Sequence, residues 1–259
     1  LSTGNIGIGT SSPYARLSIV NTATSSPFLA IADATGAASL ELRAGTSTLN
    51  NTSFGNQAFR FNTTGTENAA FGYAALQSDT TGGNNAAFGS SALQSNTTGT
   101  YNTAVGYGAQ LSNLTTTGNS ALGYVALSNT TGSYNTAVGY AAGPGGGGSA
   151  TGNTTIGPQS GRNLTTGGDY NALLGYQAGY NVTSGQYNTI LGSFLTSGGI
   201  STGSNNIVIG QDVRAGLSQT GSNQLNIGNL LFGTALGSGT TLSTGNIGIG
   251  TSSPYARLS

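Results

Sequence analysis

The sequence predicts an all-β protein built as a parallel β-solenoid, or β-roll, of about eleven coils. Three observations predict this class: a repeated unit of 16 to 18 residues, a glycine at a constant place in the unit, and turn-forming Asn, Thr and Gly at its edge. Helical repeats are longer, about 33 to 47 residues, and rarely place glycine at their centre. A coil of two short strands and two tight turns uses about 17 residues. We therefore expect coils stacked about 4.8 Å apart in a rod roughly 50 Å long.

The repeat is defined by a large apolar residue followed by glycine, in eleven copies from Phe54-Gly55 to Ile227-Gly228. Asn stands four residues before this glycine in ten of the eleven copies, which chance does not explain. The unit therefore begins Asn-x-Ala-Φ-Gly-Tyr, where Φ is the apolar residue, and ends in Asn-Thr-Thr-Gly. We assign the following columns to the structure of the roll: Asn68, Asn85, Asn102, Asn119 and Asn135; Phe71, Phe88, Val105, Leu122 and Val138; Gly72, Gly89, Gly106, Gly123 and Gly139.

Each column has a predicted role. We expect the apolar residue to point inward and the glycine to permit a bend or a positive φ. The Asn residues either form an amide ladder from coil to coil or occupy a left-handed turn conformation. The NTTG segments at 62–65, 96–99 and 129–132 are expected to be outer turns, and GPGGGGS at 143–149 a flexible surface insertion.

The composition leaves little chemistry to the side chains. The 259 residues carry six positive and six negative charges and contain neither His nor Cys. Such a chain cannot neutralise a row of phosphates, and it has no thiolate ligands for a metal ion. Glu67 and Asp79 flank one coil and could face each other like the carboxylates of a glycosidase, but no His or Lys accompanies them. We expect no enzyme activity, no cofactor, no metal, no nucleic-acid partner and no membrane span in this piece.

Three surface features are candidates for binding. The tyrosines that follow the central glycine either line the surface or are buried beside the apolar column: Tyr73, Tyr107, Tyr124, Tyr140 and Tyr176. Paired Thr residues in the predicted outer turns could form an ice-binding array. Asn-x-Thr sequons lie in the same turns, either as glycan acceptors or as turn residues alone: Asn62, Asn96, Asn113, Asn129, Asn163 and Asn181.

The small core of one coil predicts self-association. A coil contributes about one medium apolar residue and one Ala for 17 ordered residues, each of which loses on the order of 1 to 2 kcal/mol of backbone entropy. Identical chains that share an axial core would compensate for this loss. We therefore expect an intertwined homotrimer.

The chain begins and ends with the same eighteen residues, LSTGNIGIGTSSPYARLS, at 1–18 and 242–259. Residues 1–50 lack the 17-residue rhythm, and their segments ARLSIV, PFLAIAD and ASLELRAG predict three strands of a β-meander or β-prism connector. Residues 51–241 form the predicted roll, and 242–259 start the next module. The underlying period is then 241 residues, repeated end to end along a fibre.

NTAVGY at 102–107 and 135–140 resembles the head repeats of trimeric autotransporter adhesins, and the array also resembles trimeric phage tail-fibre shafts. This resemblance implies a left-handed parallel roll shared by three chains. GNIGIGTSSPYARLSI at 4–19 resembles a short β segment of tail-fibre-like proteins. We therefore expect an adhesive module of an extracellular fibre or cell-surface filament that binds a glycan or a surface receptor. A virion tail-fibre shaft with a receptor-binding role is the alternative, followed by an ice-binding solenoid.

Overall fold

The computed structural model describes residues 49–193, 199–213, 217–237 and 244–254, together with four strands before residue 49. The secondary structure in this part of the chain is all β, without a helix, and the prediction of a β-solenoid is confirmed. The strands are β1 (Ile6–Ile8), β2 (Leu17–Ile19), β3 (Leu29–Ala32), β4 (Ala38–Ala44), β5 (Thr52–Phe54), β6 (Ala69–Phe71), β7 (Ala86–Phe88), β8 (Thr103–Val105), β9 (Ser120–Leu122), β10 (Thr136–Val138), β11 (Thr154–Ile156), β12 (Ala172–Leu174), β13 (Thr189–Leu191), β14 (Ile207–Ile209), β15 (Leu225–Ile227), β16 (Leu231–Gly233) and β17 (Ile247–Ile249).

One sheet contains every strand from β3 to β17 in chain order. Strands β5 to β15 pair in parallel without a register shift, one strand to each repeat, and make about ten turns of solenoid. At one end β3 and β4 continue the sheet with antiparallel pairing onto β5, and at the other end β16 and β17 do the same beyond β15. Strands β1 and β2 form a separate parallel pair. The remainder of the predicted connector, and residues 255–259, lie outside the described residues.

Each coil contains one three-residue strand, and the expectation of two short strands in each coil is wrong. The rest of the coil consists of turns whose backbone groups bond to the neighbouring coils. Ala74 N–H donates to Asn56 O of the preceding coil at 2.9 Å, whereas Leu76 N–H donates to Ala92 O of the following coil at 3.0 Å. Because the turns satisfy their own backbone groups in this way, the stack needs no second strand.

Left-handed backbone conformations recur at the corners of the coil in residues other than glycine. The residue before the ladder Asn has a φ of 59° at Asn84 and 58° at Tyr101, and Val125 at another corner has a φ of 46°. These conformations cost about 1 to 3 kcal/mol each and persist only where the surroundings determine them. Here the hydrogen bonds to the coils above and below supply that constraint.

The central glycine has a φ between 125° and 143° in ten successive repeats, from Gly55 to Gly210. A side chain has no room there, since a Cβ added to Gly106 would lie 2.5 Å from the carbonyl oxygen of Gly123 in the next coil. The glycine column therefore meets two requirements at once, an unusual φ and the contact of one backbone with the next.

The apolar column points outward, opposite to the prediction. Phe54, Phe88 and Leu122 have 46%, 42% and 50% of their surfaces exposed. Side chains alternate along a strand, and the ladder Asn and the middle strand residue, such as Ala104, are the ones that face the interior. The narrow coil accepts the small residue and excludes the large one.

The large side chains of the core come from different walls in different parts of the solenoid. Up to β10 the middle strand residue is small, and large side chains such as Leu76, Leu93 and Leu127 fill the interior from the opposite wall. From β12 onward the strand contributes Leu173, Ile190 and Val208 instead. In the β12 coil the opposite wall carries glycine, and a Cβ on Gly179 would lie 2.7 Å from Leu173 Cδ1. The large strand residue thus occupies the space that a large side chain of the opposite wall fills in earlier coils.

The GPGGGGS segment is part of the coil wall, so its prediction as a flexible surface insertion is wrong. Gly143 N–H donates to Ser160 O at 2.8 Å and Gly145 N–H to Arg162 O at 3.1 Å. On the other side Gly147 N–H donates to Asn129 O at 2.9 Å. The segment is thus bonded to the coils on both sides.

Replacement of the central glycine tests this packing. We expect Gly106→Ala to lower the free energy of unfolding by about 3 kcal/mol, because the methyl group meets backbone and the φ is unfavourable. Gly146→Ala is the matched control, since its Cβ would meet Thr165 Cγ2 at an ordinary 3.6 Å. Urea unfolding of both variants measures the difference, and equal stabilities would contradict the packing described.

Candidate functional surface

The outer strand face consists of the first and third residues of each strand from β5 to β15. The third position is Phe, Val, Leu or Ile in every strand, and the first is Thr, Ser, Ala, Ile or Leu, so these strands place no charge on the face. Val138, Ile156 and Leu191 are 36%, 40% and 48% exposed, and the rings of Phe71 and Phe88 stack with centroids 5.0 Å apart. The apolar residues assigned from the sequence therefore lie on the surface in one straight column.

Two columns of tyrosine lie on either side of the strand in sequence. The column that follows the central glycine contains the residues singled out as binding candidates, and they are exposed rather than buried: Tyr73, Tyr107, Tyr124, Tyr140 and Tyr176. A second column directly precedes the ladder Asn and is also exposed: Tyr101, Tyr134, Tyr170 and Tyr187. Sequence analysis missed this second column, although its constant place before Asn would have revealed it.

Five of the nine tyrosine rings in these two columns stack along the solenoid axis, as one group of three and one pair. The ring centroid of Tyr124 lies 5.3 Å from those of both Tyr107 and Tyr140, at interplanar angles of 11° and 4°. The ring centroids of Tyr170 and Tyr187 are 5.2 Å apart. A sugar that packs on an aromatic residue needs an open ring face, and both faces of Tyr124 contact other rings. Tyr124 therefore offers its ring edge and phenol hydroxyl to a partner.

The ladder Asn residues lie inside the coil and bond from one coil to the next. Asn102 Oδ1 accepts a hydrogen bond from the backbone N–H of Asn119 at 3.0 Å, while Asn102 Nδ2 donates to Thr116 O at 2.7 Å. The same pair of bonds recurs at Asn119, whose Oδ1 accepts from Asn135 N–H at 2.8 Å. The residue before each Asn, and not the Asn itself, has the left-handed conformation. The column is thus a structural ladder.

A second polar column lies at the NTTG corner and also faces inward. It contains Asn62, Asp79, Asn96 and Asn113, none more than 8% exposed. Asp79 Oδ1 accepts a hydrogen bond from Asn96 Nδ2 at 2.6 Å and Oδ2 one from Asn62 Nδ2 at 3.3 Å. Burial raises the pKa of Asp79 to about 6, against the opposing effect of these hydrogen bonds. Glu67 is exposed on the surface, so the two carboxylates do not face each other.

The sequons differ in accessibility, contrary to the expectation that all lie in outer turns. Asn62, Asn96 and Asn113 belong to the buried corner column, so their amides are not accessible as glycan acceptors in the folded chain. Asn129 is exposed, and Asn163 and Asn181 are half-buried.

The first Thr of each Thr pair at this corner is bonded to the backbone. The hydroxyls of Thr63, Thr80 and Thr97 donate to carbonyl oxygens of the next coil at 2.8, 3.0 and 2.9 Å. Those hydroxyls consequently belong to the wall of the solenoid.

Removal of the buried carboxyl tests the corner column. The pKa of Asp79 in the folded chain lies above its usual value of 3.8, so the folded chain holds the proton more tightly than the unfolded chain. The free energy of unfolding should then fall by about 3 kcal/mol between pH 4 and pH 6 and level off above that range. Asp79→Asn, which inserts the residue found in adjacent coils, should remove this slope and stabilise the protein at pH 7.

Urea unfolding at pH 4, 5, 6 and 7 measures the slope for both proteins. Glu67→Gln is the control, because it removes an exposed carboxylate and should leave the wild-type slope unchanged. If the slope persists in Asp79→Asn, another group causes it.

Within the described ranges, no three residues of His, Cys, Asp or Glu group together as metal ligands. The same ranges contain no helix with the length and apolar character to cross a membrane. No known protein family, curated protein or solved structure matches the chain.

Proposed function

We propose that this chain is a structural repeat module of a long extracellular fibre or cell-surface filament, assembled as a homotrimer and serving in adhesion without catalysis. The observation that carries the proposal is the outer strand face. Eleven strands about 4.8 Å apart make it about 50 Å long, with a large apolar side chain on every strand.

The size of this face favours a buried role. A strip about 50 Å long and 10 Å wide covers about 500 Å², near the upper limit of the apolar patches found on soluble monomers. Apolar patches of this size often mark interaction sites, so the face favours a partner surface that covers it.

The regularity of the face favours a second copy of the same chain as the cover. Its side chains repeat at the coil spacing, so only a surface with the same period meets every coil in the same way. Identical chains have that period by construction. Three such faces around one axis close the assembly and leave none exposed, as a cyclic homotrimer requires.

The tyrosine columns support adhesion as the service of the fibre. Their hydroxyls and ring edges can hydrogen-bond to a glycan or a receptor while the stacked rings keep them ordered. The duplicated eighteen-residue segment, which resembles tail-fibre-like proteins, favours a phage tail-fibre shaft as the second candidate. Ice binding has less support, because the hydroxyl of the first Thr in each corner pair bonds to the backbone.

Charges placed on the outer strand face test the assembly. We expect Val105→Glu with Val138→Glu to dissociate the homotrimer, because burying two carboxylates per chain costs several kcal/mol. Thr64→Glu with Thr98→Glu is the matched control, since both Thr side chains are exposed at the corner. Light scattering should give three times the 25.5 kDa chain mass for wild type and control. A stable wild-type monomer would contradict the proposal.

Loss of the tyrosines tests adhesion separately. We expect Tyr107→Ala, Tyr124→Ala and Tyr140→Ala together to reduce binding on a glycan array or to host cells at least tenfold while the trimer mass stays unchanged. Replacement of the same residues by Phe keeps the stacked rings and removes the hydroxyls, so it separates the contribution of the hydroxyls from that of the rings. A triple Ala variant that binds as wild type would exclude this column as the adhesive surface.

A further inference from the structure

Strand β17 has the same sequence as β1, because residues 242–259 duplicate 1–18. The two copies have different partners. Strand β1 pairs in parallel with β2, with Ile6 opposite Leu17. Strand β17 pairs antiparallel with β16, with Ile249 opposite Leu231 and Ile247 opposite Gly233. The edge of β16 is therefore a binding site for the Ile-Gly-Ile strand.

The contacts of β17 come from residues that the first copy also contains. Gly250 N–H donates to Leu230 O at 2.8 Å, and Asn246 O accepts from Thr234 N–H at 3.2 Å. Asn246 Nδ2 also donates to Pro254 O at 2.9 Å, which folds the following turn back on the strand. The equivalents of Asn246, Gly250 and Pro254 in the first copy are Asn5, Gly9 and Pro13.

The glycine of the strand is required by this arrangement. Gly248 is buried opposite Phe232, and a Cβ on it would lie 2.4 Å from Thr251 O and 3.2 Å from Pro254 Cβ. A larger residue at this position would separate the turn from the strand and release β16. Gly7 is its equivalent in the first copy.

We propose that the β16 edge accepts the Ile6–Ile8 strand of a second copy of this chain, so that modules join head to tail by strand exchange. The inference deepens the proposed fibre, although its geometry does not depend on the trimer. A strand has two edges, and β2 occupies one edge of β1, so the joined sheet would run β15, β16, then β1 and β2 of the second copy.

The copy within the same chain controls the exchange. A tethered strand has an effective concentration in the millimolar range, so a strand from a second chain enters only after the tethered copy is displaced. When it is removed, β16 exposes unpaired N–H and C=O groups that bind another strand. The identical segment of a second chain supplies the same side chains and the same backbone bonds.

Cysteine cross-linking tests the exchange, since the chain contains no Cys of its own. The acceptor carries Leu231→Cys and Gly248→Val, and the donor carries Ile8→Cys. Residues 230 and 250 share a backbone bond, so positions 231 and 249 form a non-hydrogen-bonded pair, whose Cα atoms lie about 4.5 Å apart. Donor and acceptor are mixed under mild oxidation. The two-chain cross-link should be at least ten times more abundant than when the same donor is mixed with an acceptor that carries Leu231→Cys but retains Gly248.

Two donor controls define the register and the contact. Ile6→Cys should cross-link poorly, because its partner in this register is position 233. Addition of Gly7→Val to the Ile8→Cys donor should abolish the cross-link, because Val at position 7 would disrupt the pairing of the donor strand with β16. Gly248→Val disrupts the pairing of β17 with β16 in the same way. If Gly248→Val unfolds the roll, Gly250→Pro is the second acceptor, because Pro lacks the donated N–H and cannot adopt its φ of 71°.

A cross-link no stronger than that of the Gly7→Val donor would overturn the proposal. Light scattering of the same samples separates this result from the lateral assembly. A failure of strand exchange leaves the trimer mass unchanged, and a monomeric chain can still cross-link end to end.

Discussion

The backbone hydrogen bond between adjacent coils is the interaction on which the rest of the structure depends. Each coil has a strand of only three residues, so its turns must also find partners above and below at constant register. That register requires backbone contact at Gly106 and left-handed corners at residues such as Tyr101. It also requires a side chain that can bond both a neighbouring N–H and a nearby carbonyl, which Asn102 does. The repeat is conserved along the chain because these requirements recur in every coil.

The same geometry leaves little space inside the coil and moves apolar surface to the outside. A coil that admits Ala87 opposite Leu93 cannot also enclose Phe88. The large apolar residues therefore occupy the outer strand face, where they stabilise the protein only if another surface covers them. Coil size therefore determines two features together, a thin core and a long, uncharged outer face.

Sequence analysis could predict the period, the parallel stacking and the glycine column, because these follow from spacing and backbone chemistry. It assigned the wrong side to Phe88 and Val105, because hydrophobicity alone suggests the interior. The relevant signal was the alternation of side chains along the strand. Asn102 and Ala104 are two residues apart and face the interior, so Val105 faces the opposite side. The buried Asn96 and Asn113 were similarly hidden by their turn-like sequence, since burial of an amide depends on partners in other coils that no local pattern reveals.

The exchange of bulk between the two walls of the core also limits how the repeat number can change. The spacing between central glycines is 16 or 17 residues up to Gly139 and 17 or 18 beyond it, so the two halves differ in length as well as in packing. Slipped replication within a repetitive gene adds or removes whole units. Within either half, such an event would place like coils together. Across the boundary it would bring large side chains of opposite walls, such as Leu127 and Leu173, into adjacent coils where they compete for the same space. A repeat is therefore expected to tolerate insertion better within a half than across the boundary.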